Sequence, residues 1–214
     1  MKQYRPILFS FLLLALCLTA ACAWDHPSPA PGDASSSSAG EPGESSAVAV
    51  SDAIPFSQAV TQYAGNAGLS YQAARTAFPA GTEAAHYRIL SLPLSVTASY
   101  TPRLVLYCAV SEDDASLASV DTIQLLQQEG NSSQQNRSFH GDIQVWLRGN
   151  TQLEYVINGD FYNGGTTTAL TSGLPIGPGQ TGRVTLSLHG SRVPPHLQYF
   201  YDHKTLSLSS ELNQ

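Results

Sequence analysis

Charged side chains are scarce in this chain of 214 residues: Asp, Glu, Lys and Arg together make up 12%, and only 10 of them are basic. The arginines stand singly, so no basic stripe exists to track a phosphate backbone, and nucleic acid is excluded as an expected partner. Cysteine is rarer still, with Cys17, Cys22 and Cys108 the only 3. A disulfide framework is therefore not expected, since Cys17 lies in an N-terminal apolar run and Cys22 would have to pair with Cys108. The 6 histidines fall into no HxH, HxxxH or HExxH spacing, and no cysteine pair is available for zinc. Long apolar runs are also lacking. The run from Ile7 to Leu18 is too short to cross a bilayer, which takes about 20 apolar residues.

That run carries an export signature instead. Lys2 and Arg5 precede it, and small residues lead from it to Cys22. Loss of Lys2 and Arg5 with the signal leaves eight of the 10 basic residues against 16 acidic ones, a net charge near −8. The segment Leu18-Thr19-Ala20-Ala21-Cys22 resembles the lipobox of bacterial lipoproteins, with Thr19 standing where Leu or Val is usual. The resemblance implies that Cys22 is acylated, with palmitate as the kind of chain added, and becomes the mature N-terminus. It also implies a membrane-anchored protein outside the cytoplasm, at the cell surface or the periplasmic face. A second reading stays open: Ala21-Cys22-Ala23 is also a small-x-small cleavage site, which would release a secreted protein beginning at Trp24.

From Pro27 to about Ser51 the chain is almost wholly Ser, Ala, Pro, Gly and Glu. No periodic apolar face is there to offset the entropy of ordering it, so a tether is expected. The organisation read from sequence is a signal over 1–21, a disordered tether over 22–51 and a folded domain over 52–214, long enough for one hydrophobic core.

Within that domain, Ile54, Phe56, Val60 and Tyr63 share a helical face, interrupted at Gly65 and Gly68; Ser70 caps a second short helix that Pro79 ends. A period of two then takes over. Leu90, Leu92, Leu94 and Val96 alternate, with Pro93 pointing to an edge or a bulge, and Arg103–Val110 (RLVLYCAV) reads as a central strand. A short helix is expected from Ser116. Ile143–Leu147, turned by Gly149-Asn150 into Leu153–Ile157, reads as a hairpin, followed by strands at 184–188, 196–201 and 205–209, with a turn at Asp202-His203-Lys204. Seven or eight antiparallel strands at these spacings predict a mainly β fold, an antiparallel β-sandwich with a helical segment near 54–78. The hairpin Ile143–Phe161, the turn Leu174-Pro-Ile-Gly-Pro-Gly-Gln180 and the strand Arg183–Leu188 resemble immunoglobulin-like domains of exported bacterial proteins. That resemblance implies the sandwich fold and no particular function.

Chemistry is sparse. Gly177-Pro-Gly-Gln-Thr-Gly182 matches G-x-G-x-x-G, but an alternating strand follows it where a dinucleotide site needs a helix N-terminus, so it reads as a connecting turn and no cofactor is expected. Cys108 sits inside an apolar strand and reads as a core residue, not a nucleophile. His196 and His203, seven apart, are expected on opposite faces of a strand. Glu112, Asp113, Asp114 and Asp121 concentrate oxygens that could hold calcium, though in no recognised calcium-loop spacing; a solvated acidic loop is the simpler reading, and no metal site is expected. The aromatics stand out more. Trp146, Tyr155, Tyr162, Tyr199 and Tyr201 are the candidate ligand-binding residues, and Trp146 lies at the polar parity of its strand between Gln144 and Arg148. Two placements of Trp146 compete: packed beneath the helical segment, which is preferred, or exposed as a contact surface. The expected function is a binding module for an envelope protein or a surface glycan. A hydrolase using Cys108 or the carboxylates Asp142, Glu154 and Asp160, and an envelope scaffolding lipoprotein, are the alternatives.

Overall fold

The computed structural model describes residues 48–112, 114–127 and 137–209. All of them belong to the second of two units into which the chain divides, Glu44–Gln214. The expected signal, Cys22 and the expected tether through residue 47 lie outside the described residues, as does Asp113. No described helix is long and apolar enough to cross a membrane.

Two very short strands, β1 (Ala49–Val50) and β2 (Ile54–Pro55), lead into helices α1 (Phe56–Ala67) and α2 (Tyr71–Arg75). The remaining elements are strands: β3 (His86–Pro93), β4 (Arg103–Val110), β5 (Leu117–Leu126), β6 (Arg137–Leu147), β7 (Gln152–Asn163), β8 (Thr166–Ser172), β9 (Thr181–His189) and β10 (His196–Ser207). They form two antiparallel sheets. The first runs β1-β3-β4-β5 with β2 also on β3, and the second runs β10-β7-β6-β9-β8.

The apolar run of β4 follows from burial on both faces. Leu104, Leu106, Cys108 and Val110 pack against Ile143, Val145 and Ile157 of the second sheet. Val105, Tyr107 and Ala109 face the other way and pack under Phe56, Val60 and Phe78 of the helical segment. The domain is thus layered as helices, first sheet, second sheet, and the second sheet turns its outer face away from both. Pro93 ends β3 beyond the reach of β1, whose pairing stops at Ser91, so its missing N–H leaves no ladder bond unmade.

The helices end as their sequences dictate. Ser70 Oγ accepts from Ala73 N–H at the start of α2 (3.3 Å). Gly68 takes the left-handed conformation (φ 64°) that closes α1, and Leu69 N–H returns to Ala64 C=O at 2.9 Å. Gly65, by contrast, does not interrupt α1, which continues to Ala67.

Three expectations need correction, and one strand had no counterpart in the sequence pattern. The domain begins earlier than residue 52, because Ala49–Val50 pair with Leu90–Ser91 and Val48 packs on the core. The helix expected from Ser116 is strand β5. Two bulges set its buried Leu117, Val120 and Ile123 three residues apart, and that spacing mimics a helical face. The turn expected at 202–204 is absent: β10 runs unbroken from His196 to Ser207, held by β7 along its whole length. Strand β8 was unforeseen, since Thr166–Ser172 has no hydrophobic alternation.

Candidate functional site

Period-two geometry sorts the second sheet. Ile143, Val145, Leu147, Leu153, Tyr155 and Ile157 face the core, and the residues between them face outward. Trp146 is therefore on the outer face of the second sheet, partly exposed, and does not lie beneath the helices. Their apolar side is filled by Tyr87, Ile89, Val105 and Tyr107 of the first sheet instead.

Pairing builds a groove around Trp146. In the β6–β9 register Trp146 stands opposite Thr181 and Gln144 opposite Arg183. Strand β8 places Ser172 opposite Arg183 and stops there, and Gly173 (φ +71°) turns the chain away. The Trp146–Thr181 row, bordered by Glu154 of β7 on one side, thus has no β8 residue beyond Thr181 on the other, and the gap is an open groove of about 370 Å³ lined in part by Gly173 and Gly182. With its amide turned to face the guanidinium, Gln144 Oε1 accepts from Arg183 Nε at 3.1 Å. Asp142 Oδ1 lies 3.9 Å from Arg183 Nε and accepts from the Thr185 hydroxyl at 2.6 Å. The groove therefore presents an indole, a guanidinium, an amide and two hydroxyls. Such a set can stack a flat apolar face and bond several hydroxyls at once.

The tyrosines divide. Tyr199 and Tyr201 lie on the same outer face, 54% and 57% exposed, and the Tyr199 hydroxyl donates to Asn158 Oδ1 at 2.9 Å. Tyr162 also faces outward, its ring against His196 at 5.6 Å. Tyr155 does not belong with them. It is fully buried, its hydroxyl donates to Asp202 Oδ2 at 2.7 Å, and burial followed by that carboxylate drives its pKa up. It is a core residue, as the alternation Leu153-Tyr155-Ile157 requires.

The two histidines expected on opposite faces share one. A bulge between His196 and Gln198 absorbs a residue, so His196 Nε2 meets Asp160 Oδ1 (2.8 Å) while His203 Nε2 meets Glu154 Oε1 (2.9 Å). Glu154 is also held by Arg148, and the Arg148 and His203 hydrogen bonds keep its carboxyl below the usual range. The guanidinium beside Trp146 in sequence is thus turned to Glu154, and Arg183 replaces it in the groove. Asp142, Glu154 and Asp160 all lie on this outer face, each held by a different partner.

Cys108 is fully buried, and burial, with the Asp121 carboxylate nearby, pushes its thiol pKa far up. Asp121 is itself buried and accepts from the Tyr87 hydroxyl (2.5 Å) and from Ser119, so it is no part of an open acidic loop. Asp114 pairs with His86 at 3.3 Å. No group of three His, Cys, Asp or Glu side chains among the described residues is placed to hold a metal ion. Residues 177–180 form a connecting turn, with Gln180 N–H on Gly177 C=O and Gly177 N–H on Gln180 Oε1, both at 3.0 Å, and Thr181 and Gly182 already belong to β9.

Sequence reasoning named Trp146 and its neighbour Gln144 but missed Arg183, Ser172 and Thr181. Their convergence depends on the β6–β9–β8 register, which no local pattern encodes. The chain matches no family model, and no curated protein and no solved structure shows a significant match to it.

Proposed function

We propose that this chain is a membrane-anchored extracytoplasmic lipoprotein whose β-domain recognises a surface glycan. The acyl chain on Cys22 holds it to the membrane, and the Ser/Pro-rich tether carries the domain clear of the lipid. The observation that carries the binding role is the outward Trp146 in a groove lined by Gln144, Arg183, Ser172 and Thr181. A sugar ring offers an apolar face for the indole and hydroxyls for the planar polar groups. The same reading takes the sandwich as immunoglobulin-like, on the turn Leu174–Gln180 that leads into β9.

The test is retention of the full mature chain on immobilised polysaccharide from its own cell surface, beside Trp146→Ala and Cys22→Ser. Trp146→Ala is expected to weaken retention about 10- to 30-fold, the loss of one anchor of roughly 1.4–2 kcal/mol. Its melting temperature should stay close to that of the unsubstituted chain, because the indole faces outward. Cys22→Ser should bind as well but leave the membrane fraction. Unchanged glycan retention in Trp146→Ala, with loss of a crosslinked envelope protein, would replace the glycan with a protein partner.

A further inference from the structure

We propose that β8 is an association edge through which two copies of this chain pair, strand against strand, about a two-fold axis at Ala169. Strand β8 closes one edge of the second sheet and pairs with β9 alone among the described strands. Its sequence, Thr-Thr-Thr-Ala-Leu-Thr-Ser over 166–172, has no charge and no proline, and every residue except Thr167 is exposed. Thr167 is occupied elsewhere: its hydroxyl accepts from Phe139 N–H at 3.1 Å, anchoring β8 where β9 no longer covers β6.

An uncharged open edge of this length is a template for another strand, and folded proteins ordinarily blunt such edges. The opposite edge of the same sheet shows how. Strand β10 carries a bulge at its start, and Lys204 and Asp202 form an ion pair on it at 3.2 Å. Strand β8 carries neither device. Instead it exposes Leu170 at 73%.

A second copy fits this edge better than an unrelated peptide does. Centred on Ala169, the middle residue, an antiparallel pair uses all seven residues of both strands. Thr166 then stands opposite the partner's Ser172, Thr167 opposite the partner's Thr171, and Thr168 opposite the partner's Leu170. The smallest side chain lies on the axis, where a larger one would meet itself. A two-fold sets a strand against its own sequence, and neutrality along the whole strand leaves no repulsion. The exposed hydroxyls of Thr166 and the partner's Ser172 then face each other, a favourable pair across strands. Leu170 and the partner's Leu170 become diagonal neighbours on one face, about 7–8 Å apart at the backbone and within reach of each other's side chains. The two five-stranded sheets then join into one, with both Trp146 grooves opening on the same side.

Cysteine crosslinking of the full chain in membranes tests this register. In Ala169→Cys the two introduced residues face each other at a Cα separation of about 5 Å, inside disulfide range. In Thr166→Cys the two copies lie about 20 Å apart, six residues along the strands. Mild oxidation is expected to give a covalent dimer from Ala169→Cys at about five times or more the yield of Thr166→Cys. The double variant Thr166→Cys/Ser172→Cys, at two exposed positions that the register sets opposite each other, should crosslink as well, and adding Leu170→Lys to Ala169→Cys should abolish the dimer. Leu170 is exposed, so that lysine leaves the fold intact. Cys108 is buried and takes no part, the lipid proposed on Cys22 leaves no free thiol there, and the unsubstituted chain is the control. Equal yields at positions 166 and 169, no dimer from either Ala169→Cys or the double variant, or a dimer that survives Leu170→Lys, would overturn the proposal.

Discussion

Replacing Gly159 by alanine is expected to destabilise the β-domain by about 3 kcal/mol or more, near the upper end for overpacking. Gly159 on β7 lies directly opposite Gly141 on β6, at the inward parity of both strands. A Cβ on Gly159 would stand 2.3 Å from His140 C=O, 2.6 Å from Phe139 Cζ and 2.7 Å from Gly141 Cα. The Phe139 ring fills the space the two missing side chains leave, and it continues into Phe161 at 4.8 Å and, through Phe161, to Tyr100 at 5.5 Å. Two of the three close neighbours are backbone atoms in the middle of the second sheet, so relief requires the β6–β7 ladder itself to part. At 2–4 °C per kcal/mol for a domain of this size, the melting temperature should fall by about 10 °C. Gly141→Ala should behave alike, since its Cβ would meet Asn158 C=O at 2.3 Å. Gly149→Ala is the control: nothing lies within 4 Å, and only its left-handed φ of +77° is disfavoured, at about 1 kcal/mol. Phe139→Leu combined with Gly159→Ala should recover little, because the contact with His140 C=O remains. A Gly159→Ala protein melting within about 2 °C of the parent would contradict the pairing of these two strands.

How far the sequence discloses this architecture depends on which force writes the pattern. Strand β4 is legible because burial on both faces leaves only apolar residues, and the β6–β7 hairpin because one buried face enforces strict alternation around Gly149-Asn150. The helices are legible from spacing and from Ser70, whose hydroxyl has a local task. Irregular features leave no such trace. The bulges in β5 convert a period of two into Leu117-Val120-Ile123, a period of three that a helix would also produce. The bulge at the start of β10 returns His196 to the face of His203 against the rule of parity. Strand β8 is missed because neither of its faces is buried, so nothing selects alternation there. Trp146 was marked by its polar parity, but which layer lies over that parity is a tertiary fact. The helices cover the first sheet because Phe56 and Phe78 meet Tyr87 there, and the groove partners Arg183 and Ser172 arrive by register alone.

Phe78→Ala is expected to cost about 3–5 kcal/mol, and to do so by releasing the helical layer while the sandwich stays folded. The apolar face of α1 is thin: Ala59, Val60 and Ala64 supply little area, and its first residue Phe56 supplies most of it. Large rings must therefore hold the helices to the first sheet. Phe78 is the hub of those rings, edge-on to Phe56, Tyr63, Tyr87 and Tyr107 at 5.6–5.7 Å between centroids. Each such pair adds about 0.5–1.5 kcal/mol beyond buried area, and removing the hub breaks all four together. The core beneath the helices is separate from the core between the sheets: Val105, Tyr107 and Ala109 of β4 belong to one, and Leu104, Leu106 and Cys108 to the other. Amide exchange in 56–75 should accelerate by orders of magnitude in Phe78→Ala, and helical circular dichroism should fall, while protection in β6 and β7 persists. Phe78→Leu, which keeps most of the volume but loses the edge-on ring contacts, should fall between the two proteins. Loss of protection in the helices and in β6–β7 at the same rate would instead mean that the two cores open as one cooperative unit. Burial of the outer face of the first sheet would then be required for the fold of the sheet that carries Trp146.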